Sequence, residues 1–291
     1  MKHNTVSILM PAYNEGGYIY QSVKLLTEFI ETQPLEYEVI ILDDGSWDNT
    51  AIEAQRACQD FKNIRYLSHK KNKGKGAALK SAFLISKGDI IIFLDADLDL
   101  PPSQLSLFFS TLNSGKSDVI IGCKRHPDSM VDYPLDRKII SVGYSLFLRL
   151  LFGLPLKDSQ TGMKLFKREV LNKIFPIILC KRFAYDIEIL ACAHKYGFKI
   201  QEIPIIIRYN RNKWGHIGLK SIYLIALDTL AIAYRMYIRK WYQRRNSPIT
   251  HSLPGPVAEG EAPSSVLTSF RSRDGASPSA PPAHNPYLRE N

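Results

Sequence analysis

Residues 90–99 read Ile-Ile-Ile-Phe-Leu-Asp-Ala-Asp-Leu-Asp, a short β-branched apolar run that stops at three carboxylates on alternate positions. A continuous apolar run of this length suits a strand covered on both faces. Val6–Leu9, Val39–Leu42, Ile64–Leu67 and Val119–Ile121 have the same character. Helix-like stretches separate the runs: Tyr18–Glu31, Thr50–Asp60, Ala77–Ser86 and Ser103–Asn113. Gly74 and Gly76 introduce the third, and Pro101-Pro102 opens the fourth, where a missing N–H costs a helix nothing. Strand–helix alternation predicts an α/β fold with a doubly wound, mainly parallel sheet. Right-handed crossovers then line up the carboxyl ends of the strands along one edge, where open α/β sheets bind ligands.

Three polar turns fall on that edge. Pro11-Ala12-Tyr13-Asn14-Glu15 follows the first strand, Asp43-Asp44-Gly45-Ser46 the second and Asp95-Ala96-Asp97 the fourth. In an extended segment Asp95, Asp97 and Asp99 point to one side. Such a cluster is costly without a cation, and carboxylates sharing a site with phosphate are what Mg2+ or Mn2+ prefers. Asp99 could instead cap the helix that follows Pro101. Asp43–Ser46 reads either as a turn and helix cap or as an acceptor for ribose hydroxyls and a ring N–H. Asn14 and Glu15 could likewise be cap and first-turn residues. Asn72-Lys73-Gly74-Lys75-Gly76-Ala77-Ala78 is a glycine-punctuated basic turn whose N–H groups and Lys75 could face a phosphate. It lacks the ending and spacing of a Walker A loop, and a plain solvated turn is the alternative.

The 291 residues, 45% hydrophobic and 23% charged, suffice for one large α/β domain or two small ones without a disulfide or structural metal. Lys and Arg total 38 against 28 Asp and Glu, a net +10 that suits a polyanionic partner. The acidic edge argues against nucleic acid, whose phosphates call for basic grooves. Cys58, Cys123, Cys180 and Cys192 have no metal-ligand spacing and point to a reducing compartment. Met1–Thr5 leads straight into a strand-like run, so no secretory signal is expected. No uninterrupted apolar stretch reaches the about 18 residues of a spanning helix. The expected organisation is a catalytic domain over 1–215, an amphipathic and interfacial helix over 216–245, and a Pro/Ser/Ala/Gly-rich disordered tail over 246–291.

Taken together, Pro11–Glu15, Asp43–Ser46, Asn72–Ala77 and Asp95–Asp97 resemble the successive motifs of family-2 glycosyltransferases with the GT-A fold. Asp158-Ser-Gln-Thr-Gly-Met-Lys-Leu-Phe-Lys-Arg168 and Arg182-Phe-Ala-Tyr-Asp-Ile-Glu188 resemble the dolichyl-phosphate sugar synthase branch, closer to β-glucosyltransferases than to mannosyl enzymes. The resemblance covers roughly residues 5–240. It implies a Rossmann-like, nucleotide-diphospho-sugar transferase sheet, mixed but mainly parallel, flanked by helices and followed by C-terminal amphipathic helices. It also implies inverting transfer of a hexose, glucose before mannose, from a nucleoside diphosphate sugar to a polyprenyl phosphate. UDP-glucose is the favoured donor and GDP-mannose the next, with Mg2+ or Mn2+ as cofactor.

Position by position, Pro11, Tyr13, Glu15 and Asp44 match places near the nucleobase, with Lys75 and Ala96 also on the donor side. Asp95 and Asp97 match the metal-binding pair, and Asp99 is a third carboxylate where many mannosyl relatives carry Gln. Lys124 stands where relatives often carry Arg, Arg137 matches a second basic position for the acceptor phosphate, and Arg125 beside Lys124 could help hold it. Arg211 is placed at a donor-diphosphate arginine, although Arg208–Lys220 departs from the family's Gly-x-Ser-Lys pattern. Asp186, at a helix start, is an acceptor-side acid/base or a first-turn structural residue. A polyprenyl phosphate is already ionised and needs little help from a base, so positioning and charge neutralisation dominate. Transfer to a saccharide hydroxyl is the other enzymatic reading and would require Asp186 as base. A non-catalytic nucleotide-sugar binder is the reading outside enzymes.

A lipid acceptor requires membrane contact. Lys138–Phe152 and Ile217–Tyr242 are apolar but interrupted by Arg149, Lys220, Asp228 and Arg235, which suits lying in an interface instead of spanning. Core or oligomer-interface helices are the alternative, and a homo-oligomer is left open. The expected location is cytoplasmic, peripheral to the membrane face.

Overall fold

The computed structural model describes residues 5–97, 99–131, 135–181, 184–207 and 219–244. Strands β1 (Val6–Ala12), β2 (Tyr37–Asp43), β3 (Ile64–Ser68), β4 (Ile90–Phe93), β5 (Val119–Cys123), β6 (Lys164–Lys167) and β7 (Ile200–Pro204) form one sheet. Their order is β3-β2-β1-β4-β6-β5-β7. All neighbours are parallel except β6, which runs antiparallel to both β4 and β5. The expected mixed, mainly parallel sheet is therefore what forms.

The five apolar runs are β1 to β5. Every residue of β4 is buried, as a strand covered on both faces requires. β6 and β7 had no comparable signal. The first is Lys-Leu-Phe-Lys, with charge at both ends, and the second is Ile-Gln-Glu-Ile-Pro, polar as suits a strand at the sheet edge.

Helices α1 (Ile19–Ile30), α2 (Thr50–Asp60), α3 (Lys75–Ile85) and α4 (Leu105–Asn113) fall where periodicity places them, with two boundary differences. α3 starts at Lys75 and not at Ala77, because the carbonyl of Lys181 accepts the N–H groups of Gly76 (2.9 Å) and Ala77 (3.3 Å). Pro102–Gln104 forms a 3-10 turn before α4, consistent with two prolines setting φ at the entry. Further along come α5 (Leu135–Phe152), α6 (Arg168–Ile174), α7 (Tyr185–Lys195) and α8 (Leu219–Ala233), then a π-helical turn (Tyr234–Ile238) and α9 (Trp241–Arg244).

Side chains alternate across the sheet and build two cores. One contains Leu9, Phe93 and Phe166 under α3, α6 and α7; the other contains Ile8, Met10 and Ile41 under α1 and α2. α8, the π-turn and α9 contribute Ile232, Met236 and Tyr242 to the first core, so they pack within the same compact unit as the sheet. Among the described residues no helix is long and apolar enough to cross a membrane. The tail expected over 246–291 lies outside the described residues.

The order of strands fixes where a ligand goes. The chain moves from β1 outward through β2 to β3, then returns to the other side of β1 as β4. This reversal opens a crevice at the carboxyl ends of β1 and β4. Phe93, last in β4, anchors that point: its ring lies 4.8 Å from Phe166 and 6.3 Å from Phe175. Phe93→Ala is expected to cost about 3–5 kcal/mol of unfolding free energy, measured by urea denaturation at constant m-value.

Candidate active site

A cavity of about 440 Å³ occupies the crevice, lined by Pro11, Ala12, Tyr13 and Glu15 after β1, Asp44 after β2, Asn72, Gly74, Lys75 and Ala78 around the start of α3, and Asp95, Ala96 and Asp97 after β4. The three polar turns and the glycine-punctuated turn therefore do converge.

The turns after β1 and β2 lock one another. Asn14, at φ 56 in the left-handed region that Asn tolerates, donates its N–H to Ser46 Oγ (2.9 Å) and accepts from Trp47 N (3.1 Å). Glu15 N donates to Thr50 Oγ1 (2.7 Å) and Gly16 N to Asp48 Oδ2 (3.1 Å). Gly45 has φ 77, and a Cβ there would sit 2.7 Å from the Lys71 carbonyl carbon, so only glycine fits.

Asp44 lines the cavity, but its buried carboxylate already works for the protein. It accepts from His69 Nδ1 (2.6 Å), from Lys73 N (3.0 and 3.1 Å) and from Gly74 N (2.7 Å). It thus anchors the glycine-punctuated turn in addition to lining the cavity. His69 Nε2 lies 3.0 Å from Ser81 Oγ, which ties that ring to α3. Nothing in the sequence signalled His69, a single histidine between Ser68 and Lys70.

Lys75 forms an ion pair with Asp95 at the cavity wall. Burial lowers the Lys75 pKa, but Asp95, Asp186 and Asp97 outweigh it and hold it above that of an ordinary lysine. Asp95 is also pressed from behind. A Cβ on Gly162 would lie 2.7 Å from the Asp95 carboxyl carbon, so the 157–164 loop can approach only because residue 162 is glycine.

The convergence of Asp95, Asp97 and Asp99 is not what forms. Asp97 Oδ1 accepts the N–H of Asp99 (3.2 Å), so the chain turns after β4 and the alternation of an extended segment ends there. Asp95 and Asp97 line the cavity and Asp99 does not. Among the described residues no group of three or more His, Cys, Asp or Glu side chains is placed to hold a metal ion.

Asp186 sits in the first turn of α7, buried, outside the residues that line the cavity. Lys164, in β6 with a side chain 2% exposed, places its ammonium 2.8 Å from Asp186 Oδ1 and donates to the carbonyl of Thr161. Burial raises the Asp186 pKa, while Lys164 and Lys75 pull it back down. Of the two roles open to Asp186, this geometry matches the structural one.

Lys124 and Arg125 follow β5. Lys124 N donates to Asp158 Oδ2 (3.1 Å), which also accepts the Thr161 hydroxyl (2.9 Å), and Glu202 Oε1 accepts Lys157 N (2.7 Å) and Asp158 N (2.8 Å). The 157–164 loop is thereby fastened between the end of β5 and Asp95. Arg125 Nε and Nη2 are buried without a hydrogen-bond partner. Arg137 lies in α5 with its side chain outside the described residues, as is all of Arg211.

Residues 7–175 match the family model for glycosyl transferase family 2. The chain belongs to that family. The expectation of a glycosyltransferase enzyme is borne out at that level. Dolichyl-phosphate beta-glucosyltransferase of Dictyostelium discoideum is 31% identical over 255 residues, covering 81% of this chain and 76% of that protein. The yeast (Saccharomyces cerevisiae) protein of the same name is 30% identical over 253 residues, covering 80% and 73%. Glycosyltransferase AglD of Haloferax volcanii is 30% identical over 240 residues, 82% of this chain, but the match spans only 37% of AglD. Among solved structures, glucosyl-3-phosphoglycerate synthase of Mycobacterium tuberculosis superimposes with a TM-score of 0.60 at 22% identity, covering 79% of both chains. That likeness shows the GT-A fold.

Within this family-2 fold, Lys164 is the site residue least visible in sequence, since its partner Asp186 comes from a different element. Lys164→Met would leave the Asp186 carboxylate buried without its cation, at an expected cost of about 3–5 kcal/mol at pH 7. Because the folded-state pKa of Asp186 is raised, the folded protein binds a proton more readily than the unfolded chain. Stability therefore falls as pH rises through that window, and the Lys164→Met deficit should shrink toward pH 4. Urea unfolding of both proteins at pH 7 and pH 4.5 checks this.

Proposed function

We propose that the chain transfers glucose, with inversion, from UDP-glucose to a polyprenyl phosphate of the dolichyl type at a membrane surface. The observation that carries the acceptor side is Arg125. Arg125 is half-buried and lies outside the cavity lining, with Nε and Nη2 buried and unpartnered, and a phosphate monoester or diester is an anion whose oxygens match such a fork. The position of Asp186 supports the same acceptor. A saccharide hydroxyl needs a base at the reacting oxygen, whereas Asp186 is buried, paired with Lys164 and not among the residues that line the cavity. An ionised phosphate needs none, and Lys124, Arg125 and Arg137 supply positive charge to hold it.

On the donor side, Tyr13 is 44% exposed at the cavity and offers a ring face to a base, with Pro11 and Glu15 beside it. Lys75 and the N–H groups at the start of α3 suit a diphosphate. Asp95 and Asp97 would hold Mg2+ or Mn2+, hard cations that take oxygen ligands and are commonly bound by one or two carboxylates together with substrate phosphates. When bound, that metal would neutralise charge on the departing diphosphate. Support for UDP-glucose and Mn2+ comes from the Mycobacterium tuberculosis synthase, solved in complex with Mn2+, UDP-glucose and phosphoglyceric acid. Support for the acceptor comes from the names of the Dictyostelium and yeast relatives.

Membrane contact has a matching surface. Val142, Leu146 and Leu150 are exposed at four-residue spacing on α5, and Leu224, Leu227 and Leu230 are exposed on α8. The two helices are joined by Tyr144 Oη and Thr229 Oγ1 at 2.9 Å. Arg149 on α5 and Arg239 and Lys240 after the π-turn are exposed, and exposed Asp228 interrupts the α8 stripe, a mixture that suits helices lying in an interface.

With Mn2+ and a short polyprenyl phosphate, radiolabel from UDP-glucose should enter the organic phase, and label from GDP-mannose should not. Asp97→Ala should lower that rate by about a hundredfold or more, since several kcal/mol of charge stabilisation is lost. Label confined to water-soluble product would refute the lipid acceptor.

A further inference from the structure

We propose that Glu188, Arg235 and Tyr242 are positioning residues for the donor site, forming a buried clamp through which the C-terminal helices hold the first turn of α3. The proposal rests on the donor reading of the cavity given above.

Glu188, on α7, is completely buried and serves four donors. Its Oε2 accepts Leu179 N (3.0 Å) and Cys180 N (2.6 Å). Its Oε1 accepts Arg235 Nη2 (3.1 Å) and Tyr242 Oη (2.5 Å). Arg235 closes the ring by donating from Nε to Tyr242 Oη (3.1 Å). Tyr242 is in turn pinned by its carbonyl, which accepts the Tyr196 hydroxyl (2.6 Å), while Trp241 Nε1 donates to Ile177 O (3.0 Å). The C-terminal helices are thus bound at several points to the 177–181 segment and to α7.

That segment is the floor of the donor turn. The carbonyl next along, Lys181, is the one that accepts the Gly76 and Ala77 N–H groups. Contact is so close that a Cβ on Gly76 would lie 2.6 Å from Tyr185 Cβ and 3.1 Å from Cys180 O. Gly76 adjoins Lys75, whose ammonium meets Asp95 at the cavity wall. Hydrogen bonds joined by the 179–181 backbone therefore link Tyr242 and Arg235, through Glu188, to Gly76 and Ala77, next in the chain to the residue that pairs with Asp95.

The local helix geometry serves this arrangement. Over Tyr234–Ile238 the chain takes a π-helical turn, the wider form that recurs at functional positions. Met236 is buried and Arg235 turns its guanidinium inward to Glu188, while Ile238 is left 71% exposed. Burying a charged network where apolar packing would serve brings orientation more than stability. The orientation delivered here is that of the 179–181 peptide units beneath α3. The same helices carry the exposed apolar band, so lipid contact and donor binding share one support.

The test uses the full-length chain with Tyr242→Phe and, separately, Arg235→Met, each retaining the bulk of the packing. Hydrogen exchange at the Gly76 and Ala77 amides is measured without ligand, and UDP is titrated in the presence of Mn2+. Losing a hydrogen bond to a buried charge should speed exchange at both amides about tenfold and weaken UDP binding by a similar factor, with β5 amides unchanged. Unchanged exchange in both variants, or faster exchange with unaltered UDP affinity, would overturn the clamp. If the unmodified chain binds no UDP, the donor reading fails, and the exchange rates alone still decide whether the clamp holds the turn.

Discussion

The ion pair between Lys75 and Asp95 is the interaction on which the cavity depends. Carboxylates at the end of a buried strand repel one another and lose hydration, so they persist only with positive charge in reach. Lys75 supplies it from the first turn of α3, and its own charge is in turn maintained by Asp95, Asp186 and Asp97. A second cation, Lys164, answers Asp186 behind the wall. The cavity wall is thus an alternation of charges, half-exposed at Lys75 and Asp95 and buried at Lys164 and Asp186.

Backbone arrangement makes this alternation possible. Parallel strands bring the turns after β1, β2 and β4 to one edge, and the reversal of direction beside β1 opens space between them. The single antiparallel strand then brings a different kind of residue to the same place. Because β6 runs against β4, Lys164 pairs in register with Phe93, and the loop before it reaches Asp95 through Gly162. The same loop holds the Lys124 backbone through Asp158, so Asp95 and the end of β5 are tied by one fastened segment.

Much of this was legible in the residues alone. β4, β5 and most of β1 and β2 are buried, which favours continuous apolar runs, whereas β3 at the sheet edge is half-exposed and admits Arg65. β6 stayed hidden because its two apolar residues lie between lysines, one of them buried only through an ion pair to α7. β7, at the sheet edge, keeps Gln201 and Glu202 and so lacks an apolar run. Asp99 does not follow the alternation of β4 to the cavity, because Asp97 captures its N–H and turns the chain. His69 and Glu188 act through partners far along the chain, which no local spacing records. Arg211, and the side chain of Arg137, fall outside the described residues.

The central claim is that Asp95 and Asp97 form the metal and diphosphate end of the donor site. Crystals grown with UDP and Mn2+ and measured at the manganese absorption edge test it directly. A single anomalous peak within coordination distance of Asp95 and Asp97, bridging to the diphosphate with the base near Tyr13, is the predicted result. UDP seated in the cavity with no manganese peak there, or with the peak on other side chains, would contradict it.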